Sequence, residues 1–409
     1  MIPRLRPTLG WQELIAAWTP TNSEDVARFE AAFAELMGVK HAVAFPYGRT
    51  GLVFLLQALG VQNKEVICPA YTCVVVPHAI VTSGNEPVFI DSQDYDFNMN
   101  LDLAEAAIGE QTGGLIPTSI FGYPVDLDRL DVLKKRYPHI AIIRDCAHSF
   151  GAEWKVLGLS RSGGRPVQQA GDAAIFGLGI SKLITSIFGG MVTTDRDNLA
   201  AELRRLRNKR IHAPSWKKSW LRRFYLTTVY PTFTGPIYDF TNALERRGLL
   251  DRFVKYYDER VIDMPTDYLV GMTGIEAKVG EIQVRRYHEI IDNRRKIATF
   301  YNEHLGGLPG LRLPPLIEGA TYSHYVPRAD QREELMVSAL KSGVQLGQLI
   351  EYNIPEMPAY RKRPVSRYLC PVASQMAKET VNLPISMGLN AAAKVVAVLR
   401  KVLAGQKYT

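Results

Sequence analysis

EVICPAYTCVVVPHAIVTSGNEPVFID, residues 65–91, decides the fold class. Its ends, EVICP (65–69) and PVFID (87–91), are short apolar runs of strand length, and residues 70–82 between them read as a helix. Strand, helix and strand in that order make a crossover unit, which sets the two strands parallel. The same alternation spreads in both directions. HAVAFPYGRTGLVFLLQALG (41–60) reads as strand, turn and helix, and EDVARFEAAFAELMG (24–38) carries apolar residues at helical spacing up to Gly38. Downstream, GLIPTSIFG (114–122), IAIIRDCA (140–147) and GMVTTD (190–195) are further strand candidates, with helical stretches at 101–109, 126–136 and 196–208. This predicts an α/β fold, a mostly parallel sheet covered on both faces by helices. Ligands of such sheets gather at the carboxyl ends of the strands.

The chain has 409 residues, 46% of them apolar, which allows a large α/β domain over 1–265 and a smaller C-terminal α+β domain over 266–409. Residues 274–305 read as one long helix opening the second part. SHYVPRAD (323–330) is a strand candidate there, and 388–404 a last helix. The four cysteines are scattered without a CxxC pair, which predicts a reduced compartment, no disulfide frame and no metal site. The N-terminus lacks the apolar core of a signal peptide, and no run of about 20 apolar residues exists to span a membrane. A cytoplasmic location is expected.

The net charge is +8, and part of the excess is local. RRLRNKRIHAPSWKKSWLRR (204–223) has no acid, and it leads into a basic, aromatic insertion at about 210–265. There Trp216, Trp220, Phe224, Tyr225, Tyr230 and Phe233 interleave with Lys217, Lys218, Arg222 and Arg223. Two readings stand: a subunit contact or packed helical flap, and a peripheral membrane contact through 211–245. Nothing resembles a nucleic-acid-binding motif, so no nucleic acid is expected as a partner.

Three features carry chemistry. YGRTGLVFLLQALG (47–60) is a glycine-containing turn before an apolar helix. Its start (Gly48, Arg49, Thr50) is a place for phosphate, although Thr50 reads equally as a plain N-cap. Asp145 closes the strand IAIIRD, where an aspartate is also a common turn residue. Lys182 lies among glycines and apolar residues in AIFGLGISKLITSIFGG (174–190). Burial there would lower its pKa and free its lone pair for a carbonyl. The order of phosphate-binding helix start, strand-end aspartate and lysine resembles enzymes of fold type I that use pyridoxal 5′-phosphate (PLP).

Over nearly the whole chain except the insertion, the sequence resembles the DegT/DnrJ/EryC1/StrS aminotransferases, in stretches such as RDCAHSFGA, GDAAIFGLGISKL and VNLPISMGLN. The resemblance implies fold type I and a PLP-dependent transaminase. Its amino donor would be an amino acid, glutamate by expectation, and its acceptor a keto-sugar, nucleotide-linked. The resemblance further implies a homodimer. By position, Lys182 matches the lysine that holds the cofactor aldehyde and moves the proton. Asp145 matches the partner of the pyridine nitrogen, and His148 a position beside the cofactor. Lysine at 182, where some relatives have histidine, favours transamination over dehydration.

The chain also departs from the family pattern. The ring stacked on the cofactor is replaced by Cys73, with Tyr71 as a substitute that a regular strand would point the other way. The phosphate-binding serine five residues before the lysine is Gly177, with Ser181 as a substitute. The partner asparagine is missing from YLVGMTG (268–274). His324 is a candidate near the substrate mouth. These losses leave two alternatives open: a PLP enzyme acting on a non-sugar or lipid-linked acceptor, and a non-catalytic regulatory relative.

Overall fold

The computed structural model describes residues 1–155, 164–232, 237–238, 257–361, 363 and 368–405. Phe233 and most of the insertion's second half lie outside them.

Apolar runs long enough to be buried on both faces make the central sheet. Its strands are β1 (His41–Phe45), β2 (Glu65–Pro69), β3 (Glu86–Ile90), β4 (Thr112–Leu115) and β5 (Ala141–Asp145). After a two-residue antiparallel pair, β6 (Glu153–Trp154) with β7 (Arg165–Pro166), come β8 (Ala173–Gly177) and β9 (Gly190–Thr194). The seven sheet strands run in the order β1-β9-β8-β5-β4-β2-β3. Neighbours from β8 through β5, β4 and β2 to β3 are parallel, and β9 is antiparallel to both β8 and β1. All five residues of β5 are buried, the pattern of a strand covered on both sides.

Helices α1 (Trp11–Trp18) and α2 (Asp25–Met37) precede the sheet, and α3 (Gly48–Ala58) follows β1. Left-handed Gly38 (φ 62°) ends α2. Leu52 through Leu56 of α3 are buried all round, so this helix lies in the core, against β9, α4 (Val75–Thr82) and α7 (Asp197–Arg210). Its start approaches the sheet closely. A Cβ at Gly190 would collide with the backbone of Gly48, and one at Gly48 would lie 3.0 Å from the Phe176 carbonyl oxygen. Two more short helices, α5 (Leu101–Ala106) and α6 (Leu127–Arg136), complete the crossovers.

Three expectations change. The single helix over 274–305 is two, α9 (Gly274–Arg285) and α10 (Tyr287–Leu305), after α8 (Trp216–Thr232) of the insertion. Arg286 leaves helical geometry between them (φ −91°, ψ 2°), and its guanidinium is drawn to Glu13 (2.8 Å) and the Thr8 carbonyl (3.1 Å). The strand over 323–330 shrinks to Arg328–Ala329 paired with Leu311–Arg312, because Pro327 has no N–H for a ladder. The strand over 114–122 stops at Leu115, and Ile120–Gly122 form a short 3-10 turn.

Candidate active site

Loops leaving the carboxyl ends of β2, β4, β5 and β8 meet the start of α3 around one cavity of about 330 Å³. Gly48, Arg49, Cys73, Asp145, His148, Gly177, Ser181 and Lys182 line it together. These eight residues, up to 134 positions apart in sequence, are therefore brought into one crevice by the parallel topology.

Asp145 is almost fully buried. Its Oδ1 accepts from the Ala147 N–H (3.0 Å) and its Oδ2 from the Thr118 hydroxyl (3.3 Å). Burial raises its pKa, against the pull of the Ala147 N–H and of Lys182. Lys182 follows a tight turn in which its N–H donates to the Gly179 carbonyl (2.9 Å). Burial lowers the pKa of its ammonium, opposed by Cys73 and Asp145. The site therefore pairs an amine biased towards its neutral form with a carboxyl group that Lys182 biases towards its charged form.

His148 Nδ1 accepts from the Phe121 N–H (3.3 Å), so the neutral ring carries its proton on Nε2. The ring stacks on Phe121, with centroids 6.0 Å apart. Burial, then Lys182, then His324, hold its pKa well below the usual range. His324 is not among the cavity's lining residues. It sits 5.3 Å from the His148 ring, with Nδ1 3.1 Å from the Ser323 hydroxyl, and reaches the cavity through His148.

Two candidates face elsewhere. Thr50 is fully buried and its hydroxyl donates to the Tyr268 carbonyl (3.1 Å), so it is neither a cavity residue nor open to a phosphate. Arg49, one position earlier on the helix, is the residue that turns inward, and it has no hydrogen-bond or ion-pair partner among the described residues. Tyr71 turns towards the C-terminal half, its hydroxyl 2.9 Å from Thr380 Oγ1 and 3.3 Å from the Ile350 carbonyl, and it does not line the cavity. No aromatic ring therefore reaches the cavity from position 71.

Other lining residues escaped the sequence reading. Thr118 follows β4, and the strand-end rule would have found it. Tyr47 donates to Asp267 Oδ1 (2.6 Å), and burial with that carboxylate raises its pKa. Phe188 forms a wall braced from outside by the insertion: the Arg222 guanidinium lies 4.2 Å from its ring centroid, and Tyr225 packs 5.1 Å away. Arg222 also donates to Asp267 (3.0 Å) and Glu276 (2.8 Å), and Lys218 to the Val270 carbonyl (2.8 Å). The inner face of α8 is thus the packed flap of the two readings.

The chain is 27% identical to an uncharacterized protein, MJ1066, of Methanocaldococcus jannaschii over 83% of its own length and 79% of that protein's. It is 28% identical to GDP-perosamine synthase of Caulobacter vibrioides over 71% of its length, spanning 64% of that enzyme. Among solved structures, the aminotransferase TlmJ from Streptoalloteichus hindustanus superposes with a TM-score of 0.76 at 24% identity, covering 100% of both chains. PseC of Helicobacter pylori, an aminotransferase involved in the biosynthesis of pseudoaminic acid, gives 0.76 at 18% identity over 99% of both. These superpositions show the fold, that of the fold type I aminotransferase structures. The family model of the DegT/DnrJ/EryC1/StrS aminotransferases matches residues 12–402, and the chain belongs to that family.

Proposed function

We propose that the protein is a PLP-dependent aminotransferase moving an amino group from an amino acid, glutamate by expectation, to a keto-sugar carried on a nucleotide. The observation that carries this reading is the convergence of Lys182, Asp145 and the start of α3 on one cavity. PLP presents an aldehyde, a pyridine nitrogen and a phosphate, and the cavity offers an amine, a carboxyl group and, at a helix N-terminus, a guanidinium with no hydrogen-bond or ion-pair partner among the described residues. The volume fits a small molecule, whose pockets span roughly 300–1,000 Å³. When bound, PLP supplies a carbonyl for amines and a ring that takes up electrons from the adjacent carbon.

The chain's own residues would do the rest. Arg49 and the first N–H groups of α3 would hold the phosphate, in place of the serine missing at Gly177. Asp145, kept in place by Ala147 and Thr118, would hold a proton on the ring nitrogen. Lys182, once free as a neutral amine, would take the α-proton of the donor and return it to the cofactor. His148 would border the cofactor through its Nε2–H edge. GDP-perosamine synthase among the relatives supports a nucleotide-linked sugar acceptor, and the alternatives of a lipid-linked acceptor or a regulatory relative have no comparable support.

The family resemblance supports a homodimer. The free cysteines fit a reducing, cytoplasmic setting. The division into 1–265 and 266–409 belongs to the same reading, with Leu349 and Ile350 reaching the cavity from the second part. Adding PLP to the purified protein should produce a visible absorbance band that borohydride removes and that shifts with glutamate. Lys182→Ala should lack it. A wild-type protein that binds no PLP would refute the proposal.

A further inference from the structure

Helix α8 has a second face. While Lys218, Arg222 and Leu226 are buried inward, Trp216, Trp220 and Phe224 are each half or more exposed. Helix α1 lies beside it and exposes Trp11, Ile15 and Trp18 to the same degree. The two sets are continuous. Trp18 meets Trp220 edge to face at 6.0 Å, and its indole N–H donates to Thr227 (3.2 Å). Trp11 meets Tyr230 at 6.4 Å. Soluble proteins seldom leave so many large apolar side chains together in water.

Among the described residues of α1 and α8, the charges that are not buried are all basic. Arg223 lies against Trp220 (5.4 Å) and Trp18 (6.0 Å), and Lys217 against Trp216 (5.9 Å). Helix α8 has no acid, and the one acid of α1, Glu13, is fully buried on Arg286. A two-fold contact with a second copy centred on this face would set it against itself and oppose its cations. A surface of anionic headgroups over an apolar interior complements both the charges and the indole rings, which favour the boundary between water and hydrocarbon.

We propose that the paired outer faces of α1 and α8 dock the enzyme on an anionic phospholipid bilayer. Docking does not require the substrate to be a lipid, and it does not rest on the aminotransferase reading. The inward-facing residues of α8 lie on another side of the helix, so the bound helix leaves its brace on Phe188 intact.

The test is flotation of the full chain with vesicles of phosphatidylcholine alone and of phosphatidylcholine mixed with phosphatidylglycerol. Binding is expected to the mixed vesicles only, weakening as salt rises. Trp220→Ser combined with Phe224→Ser should lower partitioning at least about tenfold. Lys217→Glu, a change at a solvated tip, should lower it several-fold. Sedimentation mass and the PLP absorbance band should stay as in the wild type. Three results would overturn the proposal: no flotation of the wild type, flotation indifferent to these substitutions or to lipid charge, or a smaller sedimentation mass in the double variant. The last would assign the face to contact between copies.

Discussion

Tyr47, the residue before α3, donates its hydroxyl to Asp267 Oδ1 at 2.6 Å and so ties the cavity rim to the segment that follows the insertion. The other oxygen of Asp267 accepts from Arg222, whose Nε reaches Glu276. Glu276 is 1% exposed and also closes the capping box of α9 with Thr273. Removing Arg222 leaves a buried carboxylate without its counter-charge. Arg222→Met should destabilise the protein by about 3–5 kcal/mol, measured by urea unfolding. PLP affinity should fall with it, because Phe188 loses its brace. A loss below about 1 kcal/mol, the range of a solvated pair, would show that the network is not buried in solution.

Gly177 leaves room for the serine hydroxyl that the family resemblance leads one to expect there. A Cβ would meet Lys182 Cε at 3.5 Å and Ala147 Cβ at 3.7 Å, ordinary contacts both. Gly177→Ser should therefore fold normally and tighten PLP. Arg49→Ala should weaken it by roughly 10–100-fold, the loss of one charge-assisted hydrogen bond of about 1.5–3 kcal/mol. Titration followed by the absorbance band measures both. Unchanged affinity in Arg49→Ala would take the guanidinium away from the phosphate.

Asp145→Asn keeps the size of the side chain and an oxygen for the Ala147 N–H, but loses the charge. The glutamate half-reaction should slow by about 10²–10⁴-fold, the usual span for a positioned acid–base group. Stability should change little, since burial already disfavours the charged form. Stopped-flow absorbance reads the rate, and a slowing under tenfold would remove Asp145 from the chemistry.

The sheet is legible in the sequence because its strands are buried on both faces and so read as unbroken apolar runs. The meeting of Lys182, Asp145 and His148 in one cavity is legible through the family resemblance; spacing alone leaves each of them with an ordinary structural reading. What escapes is orientation. Arg49 and Thr50 are neighbours, yet successive residues on a helix point about 100° apart, and the phase that turns Arg49 inward is set by the contacts of α3 with β9. The insertion hides a similar division. Lys217 and Lys218 look alike in sequence, but one is exposed and the other donates to the Val270 carbonyl. The break at Arg286 depends on Glu13, about 270 residues away, which no local pattern reveals.

His78, on α4, carries the last prediction. It is 1% exposed, and neither ring nitrogen has a hydrogen bond among the described residues. Burial first, then the charge of Arg49, push its pKa down from 6.5 to about 4, and Asp263, 3.5 Å from Nδ1, offsets only part of this. Between those two pH values the unfolded chain takes up a proton that the native protein refuses. Stability contributed by the neutral ring is complete above pH 6.5 and is lost as pH falls towards 4. The loss at His78 is on the order of 3 kcal/mol at about 1.4 kcal/mol per unit. His148 and His324, also held well below the usual range, add to the same slope. Thermal unfolding followed from pH 7 to pH 4 should show the decline, and His78→Leu, which has nothing to protonate, should show a shallower one. Equal slopes in the two proteins would mean that His78 takes up its proton in the folded state as readily as in the unfolded one.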